Sequence, residues 1–246
     1  PVLLVTDADG NIRGAAEAQA GAEVRRDGPR RPRGSVSLSE RDSFIAYVNR
    51  HKLPESAVYA NQVDRLFVAT FNDSLPGKPG HRDHGAQLRL RLAPAWRAWV
   101  DACAKQHDQE SLGDLIEERF DDVTSGGGTY PPPAAVLELG RNLSVLTEGT
   151  FVRRLAKRTG TYELIQKLES RQDSTPIPRA FIIAVPVFEG GELYRVEVRL
   201  RLTIGDAAPR FSLGIHQQER IERDAFLAIG ADVVSGTGLP VFYGTQ

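Results

Sequence analysis

Imidazole and carboxylate groups crowd into one short run, His81-Arg82-Asp83-His84, with Asp73 upstream of it. Nitrogen and oxygen donors of this kind suit a divalent transition metal. A metal site also needs a rigid cage and ligands arriving from elsewhere in the fold. The run lies in a Gly/Pro-rich loop at about residues 72–85 that supplies neither by itself, and no zincin framework surrounds it. His81, Asp83 and His84 are therefore read as a hairpin tip that meets a partner or solvent, and neither metal nor other cofactor is expected.

A second cluster is basic. Arg25, Arg26, Arg30, Arg31 and Arg33 alternate with Gly28, Pro29, Pro32 and Gly34. Such a stretch carries too little apolar surface to offset its ordering entropy, so it reads as a mobile arm. Its arginines could contact nucleic acid or a neighbouring subunit. The whole chain opposes the first reading, because 31 basic residues face 32 acidic ones for a formal net charge of −1. A dedicated polyanion binder is expected to be basic.

The remaining chemistry-bearing residues are isolated. Gly126-Gly127-Gly128 lacks the Lys-Ser/Thr that follows a phosphate loop. The single cysteine, Cys103, falls on an apolar helical face beside Trp96 and Trp99, where burial would keep its thiol inert. It also excludes an intramolecular disulfide. Glu117, Glu118, Asp121 and Asp122 gather at one helix end, with Glu117 and Asp121 on its exposed side. Arg89 and Arg91 share the polar face of one strand, and Arg195, Arg199 and Arg201 share another with Glu197. No aromatic residue is interleaved on those polar faces, so charge ladders explain them at least as well as a nucleic-acid platform.

The elements that must position these residues follow from periodicity. Apolar residues make up 41% of the 246, enough for a sizeable core, and no apolar run reaches the length of a membrane span. Ser39 and Asp42 resemble a capping box ahead of Phe44, Ile45 and Val48, predicting a helix over about 40–52. Residues 57–71 and the alternating run at 87–92 predict two strands of a long hairpin around the 72–85 loop. Pro94 opens a helix whose face carries Trp96, Trp99, Val100 and Cys103, and Ser111 with Asp114 suggests a capping box for the next.

Ser125 to Pro133 is the strongest internal break. Beyond it, Val136, Leu139, Leu143 and Leu146 keep helical spacing. Residues 150–157 read as a strand, and 161–169 as a strand or a helix. Phe181–Phe188 and Tyr194–Ile204 read as strands joined at Gly190-Gly191, with a short strand near 210–215. Ile221, Ala225, Ala228 and Ile229 suggest a helix ending at Gly230, and residues 239–243 an edge strand. There is no internal repeat. The expected organisation is an arm at 1–38, a helix, hairpin and two helices at 39–124, a Gly/Pro linker at 125–133, and a β-rich region with a leading helix at 134–246.

Several local runs resemble one family. They are Ser43-Phe44-Ile45-Ala46-Tyr47-Val48-Asn49-Arg50-His51-Lys52, Arg82-Asp83-His84, Trp96-x-x-Trp99, Leu115-Ile116-Glu117-Glu118, Ile177-Pro178, Val187-Phe188, Arg199-Leu200-Arg201 and Thr237-Gly238-x-Pro240-Val241. In this order, from about residue 40 to the end, they resemble the YfdQ-like family of tailed phages and prophages, a domain of unknown function. The resemblance implies a phage or prophage source and the cytoplasm of an infected bacterial host, and it carries no catalytic residues. The order of elements is also similar to that of tailed-phage capsid proteins and encapsulins, although two short helices, the first bearing Trp96 and Trp99, stand where one long spine helix would be.

The fold class expected is α+β: an N-terminal arm, a long β-hairpin, short helices and a β-rich second half, in a capsid-like or encapsulin-like order. The expected function is non-enzymatic self-assembly into a homo-oligomeric shell or ring. The partner is the chain itself, with cargo or nucleic acid in addition and no membrane. The alternative is a nucleic-acid-binding accessory protein of phage replication or host takeover. An enzyme built on His81, Asp83 and His84 ranks third.

Overall fold

The computed structural model describes residues 31–125, 130–137, 178–203 and 210–244 with their side chains, and the backbone of strands at 5–6, 12–13, 150–156, 161–168, 171–177, 204 and 209. The chain divides into two compact units, Pro1–Arg33 and Gly34–Gln246. In the first, β1 (Val5–Thr6) and β2 (Ile12–Arg13) pair antiparallel. The end of the expected 1–38 arm is not an arm: Gly34–Leu38 is a strand of the second unit, laid in parallel on the 84–89 strand. The rest up to residue 30, with Arg25, Arg26 and Arg30, otherwise lies outside the described residues.

The second unit is an α+β fold with two five-stranded sheets. The first sheet runs β15-β4-β5-β6-β3, built from β3 (Gly34–Leu38), β4 (Ala57–Asn61), β5 (Leu66–Thr70), β6 (His84–Arg89) and β15 (Val241–Tyr243). Its three middle strands are antiparallel, whereas β3 and β15 join the two ends in parallel. Alternation puts Val58, Ala60, Phe67, Ala69, Ala86 and Leu88 on one face, all buried. Two helices cover that face. They are α1 (Arg41–His51), which buries Phe44 and Val48, and α4 (Gln218–Thr237), which stacks Phe226 on Phe67 at 4.6 Å between ring centres.

The second sheet runs β7-β14-β13-β12-β8. Its strands are β7 (Gln106–His107), β8 (Val123–Thr124), β12 (Ala180–Pro186), β13 (Leu193–Ile204) and β14 (Pro209–Ile215), all antiparallel. Along β13 the expected alternation holds, with Val196, Val198, Leu200 and Leu202 buried and Arg195, Arg199 and Arg201 exposed. Pro94 is the first residue of α2 (Pro94–Cys103), whose missing N–H costs nothing there. That helix and α3 (Gln109–Glu118) bury Trp96, Trp99, Leu112 and Ile116, and Trp99 meets Phe181 at 5.8 Å. A third sheet, ordered β11-β10-β9, comprises β9 (Thr150–Ala156), β10 (Thr161–Leu168) and β11 (Arg171–Pro178).

Several local expectations need correction. The 57–92 hairpin is three strands: a tight turn at 62–65 splits the apolar run, and the 71–83 connection folds back on itself. That connection is held by a Leu75–Lys78 bridge and by Arg82 N–H donating to the Asn72 carbonyl at 3.1 Å. Neither proposed capping box forms. Glu40 precedes α1 without a side-chain cap, and Asp108 rather than Ser111 caps α3, accepting from Ser111 N–H at 2.9 Å. Gly230 does not end the last helix, which runs on to Gly238 in the left-handed conformation, φ 68°. Residues 161–168 are strand, and 171–178 add a partner that the sequence reading lacked. Residues 133–137 are helical, and the rest of the expected 136–146 helix lies outside the described residues.

The Gly/Pro break at 125–133 lies within one unit. The short strands β7 and β8, which precede it, flank β12–β14, which follow it. One continuous core joins residues from both sides.

Candidate functional site

The residues proposed as a hairpin tip have different surroundings. His81 is exposed, while His84 starts β6 and packs edge-on against Phe71 at 4.9 Å and His51 at 5.8 Å. Asp83 accepts from Asn72 Nδ2 at 2.8 Å. Asp73 is 7% exposed and fully engaged: Oδ1 accepts from Ser74 N–H at 2.8 Å and meets Arg82 at 3.1 Å, and Oδ2 accepts from Tyr59 O–H at 2.6 Å. Its role is to pin the 71–83 connection to β4. Among the described residues no group of three or more His, Cys, Asp or Glu could hold a metal ion.

Of the five N-terminal arginines, Arg31 is half-buried and Arg33 exposed, and each has an interaction partner. Arg25, Arg26 and Arg30 lie outside the described residues. Cys103 is half-buried, and burial pushes its thiol up. In the acidic cluster, Glu117 and Asp121 are exposed, Glu118 pairs with Arg119 at 2.8 Å, and Asp122 accepts from the Trp99 indole at 2.9 Å. No helix of the described residues is long and apolar enough to cross a membrane.

Two surface features remain. The first is the pair of ends of the first sheet. Gly34 N–H donates to the Asp83 carbonyl, so alternation turns the backbone groups of Ser35 and Ser37 away from β6. This edge contains neither charge nor proline, and Val36 on it is 38% exposed. At the opposite end Val58 N–H donates to the Pro240 carbonyl and Gly244 N–H to the Ala60 carbonyl, turning Val241 and Tyr243 backbone groups outward. Phe242 and Tyr243 are each about half exposed there. Phe242 lies 5.6 Å from Tyr59 on one side of the sheet, and Tyr243 lies 6.5 Å from Phe226 on the other.

The second feature is the outer face of the second sheet. Arg199 is paired with Glu197 Oε1 at 2.7 Å, and Glu197 Oε2 accepts from Tyr130 O–H at 2.7 Å. The Arg199 hydrogen bond, then the Tyr130 one, holds the Glu197 carboxyl below the usual range, while the same contact raises the Tyr130 phenol. Arg201, Ser212, Gly214, His216 and Gln217 complete a cleft of about 300 Å3 with Arg199. The sequence reading found the arginines on β13 but missed Tyr130 and the β14 wall. Only the β13–β14 register, with Arg199 opposite Gly214 and Arg201 opposite Ser212, brings them together.

The family described as Uncharacterized conserved protein (DUF2303) matches residues 20–246. The chain belongs to the DUF2303 family. The match takes in all of the second unit, both sheet ends and the arginine-lined face, so these are features of the DUF2303 region itself. No curated protein matches the chain. No solved structure matches it either.

Proposed function

We propose that this DUF2303 protein is a non-enzymatic, phage-encoded protein that assembles from copies of itself into a closed ring or shell. The observation that carries the reading is the pair of terminal strands, β3 and β15, at opposite ends of one sheet, each with a strand partner on one side only among the described residues. An open edge is a template for another strand, and soluble proteins ordinarily blunt it with charge, proline or a cover. Here β3 is uncharged, and β15 presents Phe242 and Tyr243 to solvent. Different ends of one subunit make a heterologous contact, which closes into a ring when the rotation between copies allows. The occupant of each edge is thus a second copy. The phage or prophage source rests on the resemblance of the local runs to the YfdQ-like family, and the infected host's cytoplasm follows from it.

Light scattering at micromolar concentration tests this. The expected mass is many times that of one chain, with uniform particles in negative stain. Ser35→Pro removes an outward N–H without touching the β3–β6 ladder, and Phe242→Glu charges the opposite end; each should lower the mass while the circular dichroism spectrum stays unchanged. A monomer or dimer across salt and pH overturns the reading.

A further inference from the structure

We propose that the outer face of β13 and β14 binds the phosphate groups of a single-stranded nucleic acid, with Arg199 and Arg201 as its central contacts. The inference does not depend on assembly. It begins from charge that the fold concentrates. Although the chain as a whole carries a net charge of −1, Arg195, Arg199 and Arg201 all project from one side of β13, and Arg210 stands on the neighbouring strand opposite Thr203.

The acidic groups on this face are committed. Both oxygens of Glu197 are taken, by Arg199 and by Tyr130, so this carboxylate orients the Arg199 guanidinium more than it repels an incoming anion. Asp108 meets Arg210 only at 3.8 Å, with both side chains about half exposed. Arg195 and Arg201 form no ion pair with a described residue. Among the described residues positive charge is therefore in excess here, with Arg195, Arg199, Arg201 and Arg210 against Glu197 and Asp108. Clefts of comparable size elsewhere carry more acid than base, with Glu219 and Glu222 beside Arg65 in one and Glu40, Asp42 and Glu189 beside Arg41 in the other.

Shape agrees with charge. A Cβ placed on Gly214 would meet nothing within 4 Å, so the floor between Arg199, Arg201 and His216 is open. Ser212 and Gln217 add hydrogen-bonding groups to its walls. Alternate residues of a strand are about 6.6–6.8 Å apart. That spacing suits successive phosphates of an extended single strand, so Arg199 and Arg201 can each take one. From Arg195 to Arg201 the strand covers roughly 20 Å, longer than a free phosphate or nucleotide needs. A duplex is read by an element that enters its groove, and these arginines stand instead on the face of a five-stranded sheet. Tyr130 brings one aromatic ring to the same face, as single-strand surfaces require for base contact.

The test is fluorescence anisotropy of a labelled oligothymidylate with the full chain, at about 50 mM and about 200 mM salt. Binding should be measurable at the lower salt and weaken at the higher. The Arg199→Gln, Arg201→Gln double variant should lose at least tenfold in affinity, with the salt slope reduced by about 0.7 per lost contact. Arg201→Gln alone, which breaks no ion pair with a described residue, should lose part of it. A chain with Arg25, Arg26, Arg30, Arg31 and Arg33 replaced by alanine should keep most of the binding. The proposal is overturned by any of four results: no binding by the parent, an unaffected double variant, loss only in the N-terminal variant, or competition by ATP, inorganic phosphate or duplex DNA as effective as by unlabelled oligothymidylate.

Discussion

The buried indole of Trp96 donates its N–H to Glu222 Oε1 at 3.2 Å, tying the first turn of α2 to α4 across the core. The same carboxylate accepts from Gln218 Nε2 at 3.0 Å and meets Arg65 at 3.3 Å. One acidic side chain thus joins both helices to the β4–β5 turn. Glu222→Ala leaves the indole N–H buried and unpaired, at an expected cost of about 1–3 kcal/mol in urea unfolding. Glu222→Gln keeps an acceptor and should cost less. Equal losses in the two variants would mean that the hydrogen bond contributes nothing.

Gly230 sits in the middle of α4 because Tyr243 lies over it. A Cβ there would collide with the Tyr243 hydroxyl and come within 3.2 Å of Cζ. Glycine to alanine in a helix interior ordinarily gains about 1 kcal/mol. Here Gly230→Ala should lower the melting temperature instead, by displacing Tyr243 and loosening β15 from β4. In a Tyr243→Ala background the same substitution should stabilise. Stabilisation in both backgrounds would show that the ring does not press on the helix.

Asp108 caps α3 through the Ser111 N–H, and that hydrogen bond holds its carboxyl below the usual carboxylate range. A depressed folded pKa means that the cap stabilises above the unfolded pKa and fades as pH falls through the folded one. Asp108→Ala should cost about 0.5–2 kcal/mol at neutral pH. The gap between parent and variant should close in strong acid. A gap that persists there would assign the loss to something other than the ionised cap.

Every buried core residue of the described chain lies at Phe44 or beyond. Removal of residues 1–33 should therefore leave the second unit folded, with stability within about 0.5 kcal/mol of the parent's. Thermal unfolding followed by circular dichroism checks this, and an unfolded product would show that the first unit belongs to the core.

Where a segment repeats its burial every two or every three to four residues, the sequence alone determined the element. β13 alternates arginine with valine and leucine, α2 opens on Pro94 and places Trp96 and Trp99 on one side, and Gly190 at φ 70° turns β12 into β13. Those patterns record one local fact, which side meets water, and that is enough to separate helix from strand. The arginines of β13 could be seen to share a face for the same reason.

What depends on a distant partner was decided only by the tertiary structure. Gly230 reads as a helix stop until Tyr243, on another element, is seen to lie over it. Ser111 reads as the cap of α3 in the sequence, and Asp108 takes that place because the chain enters the helix directly after β7. β3 is a strand because β6 offers it a ladder, since four of its five residues are exposed and only Leu38 meets the core. The basic cleft likewise depends on strand register, which sets Arg199 opposite Gly214 and Arg201 opposite Ser212, and on the 130–133 segment, which brings Tyr130 to Glu197. Register and sheet order are fixed by contacts between residues far apart in the chain, and no local periodicity encodes which strand will be the neighbour.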